Sequence, residues 1–368
     1  MKKYLLFILI LTATKTFSQS ASDYFEKAGK EKDAKNYSGA IADYTKALAK
    51  KNDMSMAYYY RGYCYYYIND FTNSLIDFKK ATEYLPNYEL AFEYAGLCDY
   101  KLANYAEAIS FFNQALKIDP TANTCYYNRG LARNEYGDYE GSIADFSEVI
   151  RKNSNDAGAY SGRGSAEHNL NKFDDAIADF TTAIGMDGSN YLYYYKRGAV
   201  YYDVPDYDLA LADFLKSSKL NPNYANAFTS VGLCYHKQQL DEKAMTQFQM
   251  ALKIDPKNYT AIYSEGLVSN ALKKYDEAKK YFTKAIALDG TDPYAYVGRG
   301  NASYALADYS GAETDYAKAV QLKPDYAAGY YNLGLAQYMR GEDYCVTWKK
   351  AKSLGDTNAD AMVLKYCK

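Results

Sequence analysis

The 368-residue sequence contains two His and a single Trp. Two imidazoles leave little room for His-based acid–base chemistry or for a His-rich metal site. Lys plus Arg (43) and Asp plus Glu (45) nearly cancel, to a net charge of -2. Nucleic-acid binding needs a clustered basic footprint, which this balance does not support. The apolar N-terminal run is well under the ~18 residues a spanning helix needs, and no other stretch is long or apolar enough to span a membrane. There is no G-x-S-x-G, P-loop, H-E-x-x-H or EF-hand loop. Asp174-Asp175, at the turn into a helix, reads as capping charge. Other carboxylates abound, but nothing positions a pair for acid–base work. These absences point away from an enzyme, a cofactor or a metal site, and toward a folded binding protein. With 48% hydrophobic and 24% charged residues, the chain is not disordered. What it has in excess is Tyr, 45 residues or about one in eight.

Residues 1–18 read as a signal peptide. Lys2 and Lys3 form a basic start, Leu5 to Leu11 an apolar run, and Thr16 and Ser18 stand at -3 and -1 of a cleavage after Ser18. The first Cys is Cys64, so no lipid-anchor Cys follows the run. The expectation is a periplasmic or secreted protein whose mature part, 19–368, is one domain.

That part is organised by a 34-residue period. Gly62, Gly96, Gly130, Gly164, Gly198, Gly232, Gly266, Gly300 and Gly334 are each 34 apart. With Gly at position 8, units start at residues 21, 55, 89, 123, 157, 191, 225, 259, 293 and 327. Position 4 is aromatic in nine units, from Tyr24 to Tyr330, with Ile262 the exception. Position 20 is small, position 24 is aromatic from Tyr44 to Tyr316, and position 32 is Pro in five units, Pro86 among them. Positions 4, 8 and 11 share one helical face, and 20, 24 and 27 another. Asn69-Asp70 and Gly137-Asp138 mark the turn between them. Pro at position 32 stops the second helix. One such hairpin cannot bury its own apolar face, so neighbours must stack.

This signature resembles the tetratricopeptide repeat family over residues 21–360. The resemblance implies an all-α, right-handed α-solenoid of about ten helix–turn–helix units. It also implies that first-helix positions 2, 5, 9, 12 and 13 line a concave groove. The pattern is specific for fold and says little about function.

Position 7 carries Lys27, Arg61, Arg129, Arg163, Arg197 and Arg299. Position 23 carries Asp43, Asp77, Asp145, Asp179, Asp213 and Asp315 in the same six units. The other four units have neither. In a hairpin turning near position 15, positions 7 and 23 lie opposite, which predicts an ion pair within each unit. The acids track the bases, so this reading is preferred over an arginine ladder for an anionic ligand.

Cys64, Cys98, Cys125 and Cys234 stand where other units use Ala and read as small packing residues. Cys345 and Cys367 differ. The last unit loses the pattern, with Lys350 at position 24, and predicts a helix over 344–354 and a capping helix over about 358–367. Antiparallel packing brings the two Cys together, and the tail is similar to the Cys-bearing ending of some secreted bacterial members of the family. A disulfide is expected, with Trp348 packing in the cap.

The Tyr residues have two destinations. Position 4 is a core column. Position 5 holds Tyr59, Tyr127, Tyr195, Tyr263 and Tyr331, in every second unit, and Tyr63, Tyr66 and Tyr202 stand at positions 9 and 12. The resemblance places these in the groove, where Tyr combines apolar area with a hydroxyl. His168 and His236, both at position 12, read as polar groove residues rather than metal ligands. The regular Lys/Asn pattern that clamps a C-terminal carboxylate is missing. The expected function is a non-enzymatic scaffold binding an extended peptide or protein segment, in a setting such as an envelope-associated complex. The alternative is a glycan or envelope-polysaccharide module that stacks sugars on the same rings.

Overall fold

The structure, a computed structural model, describes residues 19–367. The expected signal peptide, residues 1–18, lies outside them. Among the described residues there are 21 α-helices and no strand.

Two units are distinguished, Met1–Asn171 and Lys172–Lys368. The first contains α1 (Ala21–Asp33), α2 (Tyr37–Lys50), α3 (Ser55–Tyr67), α4 (Phe71–Tyr84), α5 (Glu89–Lys101), α6 (Tyr105–Ile118), α7 (Asn123–Tyr136), α8 (Tyr139–Lys152) and α9 (Ala157–Asn169). The second contains α10 (Phe173–Met186), α11 (Tyr191–Asp203), α12 (Tyr207–Leu220), α13 (Ala225–Lys237), α14 (Asp241–Ile254), α15 (Tyr259–Ala271), α16 (Tyr275–Leu288), α17 (Pro293–Ala305), α18 (Tyr309–Leu322), α19 (Ala327–Arg340), α20 (Cys345–Ser353) and α21 (Thr357–Tyr366). The division falls inside the repeat that starts at 157, between its two helices.

The turn inside each repeat follows from its residues. Position 15 adopts a left-handed backbone, as at Lys35 (φ 60), Asn69 (φ 62) and Gly137 (φ 91). The next amide then folds back onto the first helix. Asn36 N donates to Glu31 O at 2.8 Å, and Asp70 N to Tyr65 O at 2.9 Å. The same residue caps the second helix: Asp70 accepts from Asn73 N at 3.1 Å, and Asp138 from Gly141 N at 3.0 Å. One polar residue thus ends one helix and starts the next.

Packing explains the two strictest columns. Phe78, Phe112 and Phe146 in the first unit, and Phe248 and Phe282 in the second, are fully buried. Each ring lies on the Gly at position 8 of its own repeat. A Cβ on Gly232 would lie 2.5 Å from Phe248, closer than side chains tolerate, so the ring and the missing side chain specify one another.

The C-terminal helices keep this logic with a shifted register. Lys350 is exposed, and Trp348, two residues earlier, is the fully buried ring that covers Gly334. Its indole Nε1 donates to Tyr331 O at 3.2 Å. Tyr338, Tyr344 and Tyr366 surround it, with ring centroids 4.7–6.1 Å away.

Candidate functional site

The charged column joins the two helices of a repeat. Arg61 Nε and Nη2 donate to Asp77 at 2.7 and 2.8 Å. Arg129 reaches Asp145 at 2.9 and 2.6 Å, Arg197 reaches Asp213 at 2.8 and 2.9 Å, and Arg299 reaches Asp315 at 2.9 and 2.7 Å. All four are bidentate, the strong form of this pair. Lys27 meets Asp43 at 2.7 Å, and Lys46 adds a second ammonium at 2.8 Å. Hydrogen bonds from Lys27 and then Lys46 hold the Asp43 carboxyl below its ordinary range. Burial pushes Asp77 up, against the pull of Arg61. Arg163 and Asp179 fall in different units, so that pair stays an expectation.

Each Arg does two further things. Its third nitrogen, Nη1, reaches back to position 25 of the preceding repeat: Thr45 for Arg61 (3.0 Å), Asn113 for Arg129 (2.6 Å), Ser147 for Arg163 (3.1 Å), Thr181 for Arg197 (2.9 Å) and Thr283 for Arg299 (3.2 Å). Its guanidinium also lies over the position-4 ring three residues earlier, with Arg129 5.4 Å from the Tyr126 centroid and Arg61 5.7 Å from Tyr58. The column therefore ties helix to helix and repeat to repeat. Its bases and acids are already engaged with one another.

The position-5 tyrosines are held by packing. Tyr59, Tyr127, Tyr195 and Tyr263 meet Phe78, Phe146, Phe214 and Phe282 of their own repeats, with centroids 5.5–5.6 Å apart and rings inclined by 51–84°. Tyr59 is only 5% exposed and also touches Tyr60, Tyr88 and Tyr94. It is a core residue, which corrects the groove reading for this position. The intervening occupants Glu93, Ser161, Thr229 and Val297 are buried as well. The position faces the gap beside the aromatic ring of its own repeat, whatever residue fills it.

Tyr127, Tyr195, Tyr263 and Tyr331 are half-buried, as are Tyr63, Tyr66 and Tyr202. In the first unit, Thr124, Tyr127, Asn128 and Asp156 line a pocket of about 340 Å³. In the second, Tyr195, Ala199, Tyr202, Ser230 and Leu233 line one of about 110 Å³. Both lie between successive first helices, and each sets Tyr rings beside short polar groups. Burial pushes the Tyr202 and Tyr263 hydroxyls up to about 12, so they are neutral donors. His236 Nδ1 lies 2.6 Å from Asp241 Oδ1, in the second unit, and His168 belongs to the first.

One group has metal-ligand chemistry among the described residues, Glu89, Glu93 and Cys125. The Cys125 thiol donates to Glu89 at 3.1 Å, and burial pushes both Cys125 and Glu93 up. A protonated thiol satisfied by its neighbour accounts for this cluster without an ion. Cys64, Cys98 and Cys234 are buried too, with thiols pushed up to about 12 by that burial.

Family models place this architecture. One described as a TPR repeat matches residues 300–341, and others described as tetratricopeptide repeat match 90–122, 127–191, 162–225, 195–259 and 259–292. Together they take in nearly all of residues 90–341. The chain belongs to the tetratricopeptide repeat family. Such proteins are in general protein-interaction scaffolds without catalytic activity. No curated protein sequence matches this repeat protein.

Solved structures share its fold. A tetratricopeptide repeat protein from Parabacteroides merdae is 19% identical over 69% of this chain and 98% of its own, with a TM-score of 0.55. The C-terminal part of a TPR repeat-containing protein from Cytophaga hutchinsonii is 22% identical over 65% and 98%, with a TM-score of 0.52. The APC/C hetero-tetramer Cut9–Hcn1 contains a chain 13% identical over 96% of this one and 78% of its own, with a TM-score of 0.55.

The last repeat of this tetratricopeptide repeat chain is closed covalently. Cys345, at the start of α20, and Cys367, just past α21, form a disulfide with Cα atoms 5.5 Å apart. Reducing it is expected to loosen α20 and α21 by roughly 2–4 kcal/mol. Trp348 is the single Trp, so its emission reports this region alone. Its unfolding midpoint should fall on reduction, and an unchanged midpoint would show that the bond contributes nothing.

Sequence reasoning passed over Glu265. It stands at position 7, where other repeats place Arg, and is 2% exposed. Among the described residues it makes no hydrogen bond or ion pair. Burial pushes its carboxyl up to about 7, and Lys284 opposes the rise. The fold therefore favours the neutral acid, and its stabilising preference is lost as pH rises from the ordinary 4.5 through about 7. Glu265→Gln is expected to be nearly neutral below about pH 5 and stabilising by roughly 3 kcal/mol above about pH 8. Thermal melts of both forms across this range check the sign.

Proposed function

We propose that the chain is a non-enzymatic scaffold that holds an extended peptide or protein segment on the first-helix faces of its repeats. The supporting observation is the pair of pockets at Tyr127/Asn128 and Tyr195/Tyr202. Each offers a half-buried ring beside amide or hydroxyl groups, at positions one side chain wide. An extended backbone needs donors and acceptors at short intervals, with apolar slots for alternate side chains. Phe146 packs against Tyr127, and Phe214 and Tyr224 against Tyr195, so part of each Tyr ring is already covered by its neighbours. Stacking a sugar would need open ring faces, so this packing favours peptide over glycan. Export to the periplasm or beyond is part of the proposal, since a disulfide persists in an oxidising compartment.

The test is selection from a displayed random-peptide library, run beside a glycan array. Selected peptides should lose at least about tenfold in affinity, or 1.4 kcal/mol, on Tyr127→Ser or Tyr202→Ala, with helicity unchanged. Retention of glycans with no peptide selected would replace this reading by the carbohydrate one. Peptide binding indifferent to both substitutions would move the site elsewhere.

A further inference from the structure

In five repeats the first helix carries Leu at position 9: Leu97, Leu131, Leu233, Leu267 and Leu335. Four of these pack with the position-24 ring of their own repeat: Leu97 with Phe112, Leu131 with Phe146, Leu233 with Phe248, and Leu267 with Phe282. Those four rings are fully buried. In the repeat starting at 191 the position is Ala199, so most of the usual side chain is missing. The pocket of about 110 Å³ between α11 and α13 lies at this place, and Phe214, the position-24 ring of the repeat, is part of its wall.

Two other repeats with a short position 9 fill the space from the second helix, because their position-24 ring is Tyr. The Tyr316 hydroxyl donates to Asn301 at 2.8 Å, and the Tyr44 hydroxyl lies 3.9 Å from where a Cβ on Gly29 would stand. Phe214 has no hydroxyl to extend. The remaining walls are held by their neighbours. Tyr195 meets Phe214 and Tyr224, with centroids 5.5 and 5.0 Å away, and Tyr202 meets Tyr207 at 5.4 Å. Leu233 adds an apolar wall from α13, Ser230 a hydroxyl, and Asp203 the charged group of the lining.

We propose that this pocket receives a branched aliphatic side chain, Leu or Val, from the partner polypeptide, in the place that a leucine of the chain itself fills in other repeats. The inference rests on the peptide reading of this groove and adds the residue class that one position of the bound segment carries. Size sets the class. An apolar cavity of about 150 Å³ takes benzene. About 110 Å³ therefore suits a side chain of three or four carbons, and is short for a Phe ring or the full length of Lys or Arg. The guest would cover Phe214 as Leu131 covers Phe146. The Ser230 and Tyr202 hydroxyls stand at the same pocket, within reach of the peptide group that carries the side chain. Each methylene buried here is worth about fourfold in affinity.

The probes are Nα-acetyl-leucine amide and its alanine, phenylalanine and lysine analogues, titrated into the full chain and followed by NMR of the Ala199 and Leu233 methyl groups. The leucine probe should shift both methyls and saturate. The alanine, phenylalanine and lysine probes should each bind at least about tenfold more weakly. Ala199→Leu, which installs the residue that five other repeats carry, should abolish the response at Leu233 with helicity unchanged. Ala199→Val should weaken it severalfold. A phenylalanine or lysine probe that binds as well as leucine overturns the proposal, and so does a leucine response that survives Ala199→Leu. Library peptides separate this assignment from the groove reading. Peptides that need Tyr202 but carry no fixed aliphatic residue, and bind Ala199→Leu as tightly as wild type, overturn the pocket assignment and leave the groove reading standing. A leucine probe that saturates at Ala199 when no peptide is selected supports the pocket and overturns the groove reading.

Discussion

Asp145→Ala is expected to destabilise the first unit by roughly 3–5 kcal/mol. Asp145 is 2% exposed and accepts from Arg129 twice and from Arg133 once. Removing it leaves the Arg129 guanidinium 14% exposed, with Asn113 as its remaining hydrogen-bond acceptor. Arg133 keeps Asp138 at 3.2 Å, so the loss centres on Arg129. The chain also contains the compensated alternative. The repeat starting at 89 fills the same two positions with Ala95 and Phe111. Arg129→Ala combined with Asp145→Phe should therefore recover most of the loss, because an apolar pair replaces a buried ionic one. Hydrogen exchange in α7 and α8 is the appropriate readout, since stacked repeats need not unfold in a single step. If the single and double variants exchange alike, desolvation of the guanidinium is not the cause.

Trp348→Ala is expected to cost a similar amount, roughly 3–5 kcal/mol, confined to the end of the second unit. The ring is fully buried, fills the space over Gly334, and satisfies Tyr331 O through Nε1. No other side chain can fill that volume, because Tyr338, Tyr344 and Tyr366 already pack around the ring. Trp348→Phe keeps the apolar contact but loses the donor, and should cost about half as much or less. Limited proteolysis of α20 and α21, with the disulfide intact, separates the two variants. Equal protection in wild type and Trp348→Ala would remove Trp348 from the account of the cap.

The sequence carried the fold because its constraints are local and repeated. Gly at position 8 and an aromatic ring at position 24 report one contact, and its recurrence in eight units made it unmistakable. Arg at position 7 and Asp at position 23 were legible as a pair for the same reason. Two things were not. The reach of each Arg to the preceding repeat also has a sequence signal, since Thr45, Asn113, Ser147, Thr181 and Thr283 all precede an arginine repeat. That signal becomes visible only when neighbouring repeats are compared. The position-5 column was harder. Tyr at a groove-facing position and Tyr at a packing position look identical in sequence, and for Tyr59 the surrounding rings of Tyr60, Tyr88 and Tyr94 decide it. Trp348 was read as a packing residue of the cap, but its place over Gly334 was hidden by a two-residue shift of register in the last repeat. Glu265 was passed over because a single acid in the position-7 column carries no repeat signal, and its burial is a property of the packed fold.

The central claim is that a polypeptide binds along the first-helix faces, and site-specific photo-crosslinking in cells tests it most directly. A crosslinker replaces Asn128 or Tyr202, with the partly exposed second-helix positions Thr182 and Lys318 as controls. The account predicts that Asn128 and Tyr202 capture the same polypeptide and that Thr182 and Lys318 do not. Capture confined to the second-helix positions, or none from Asn128 and Tyr202, would contradict it.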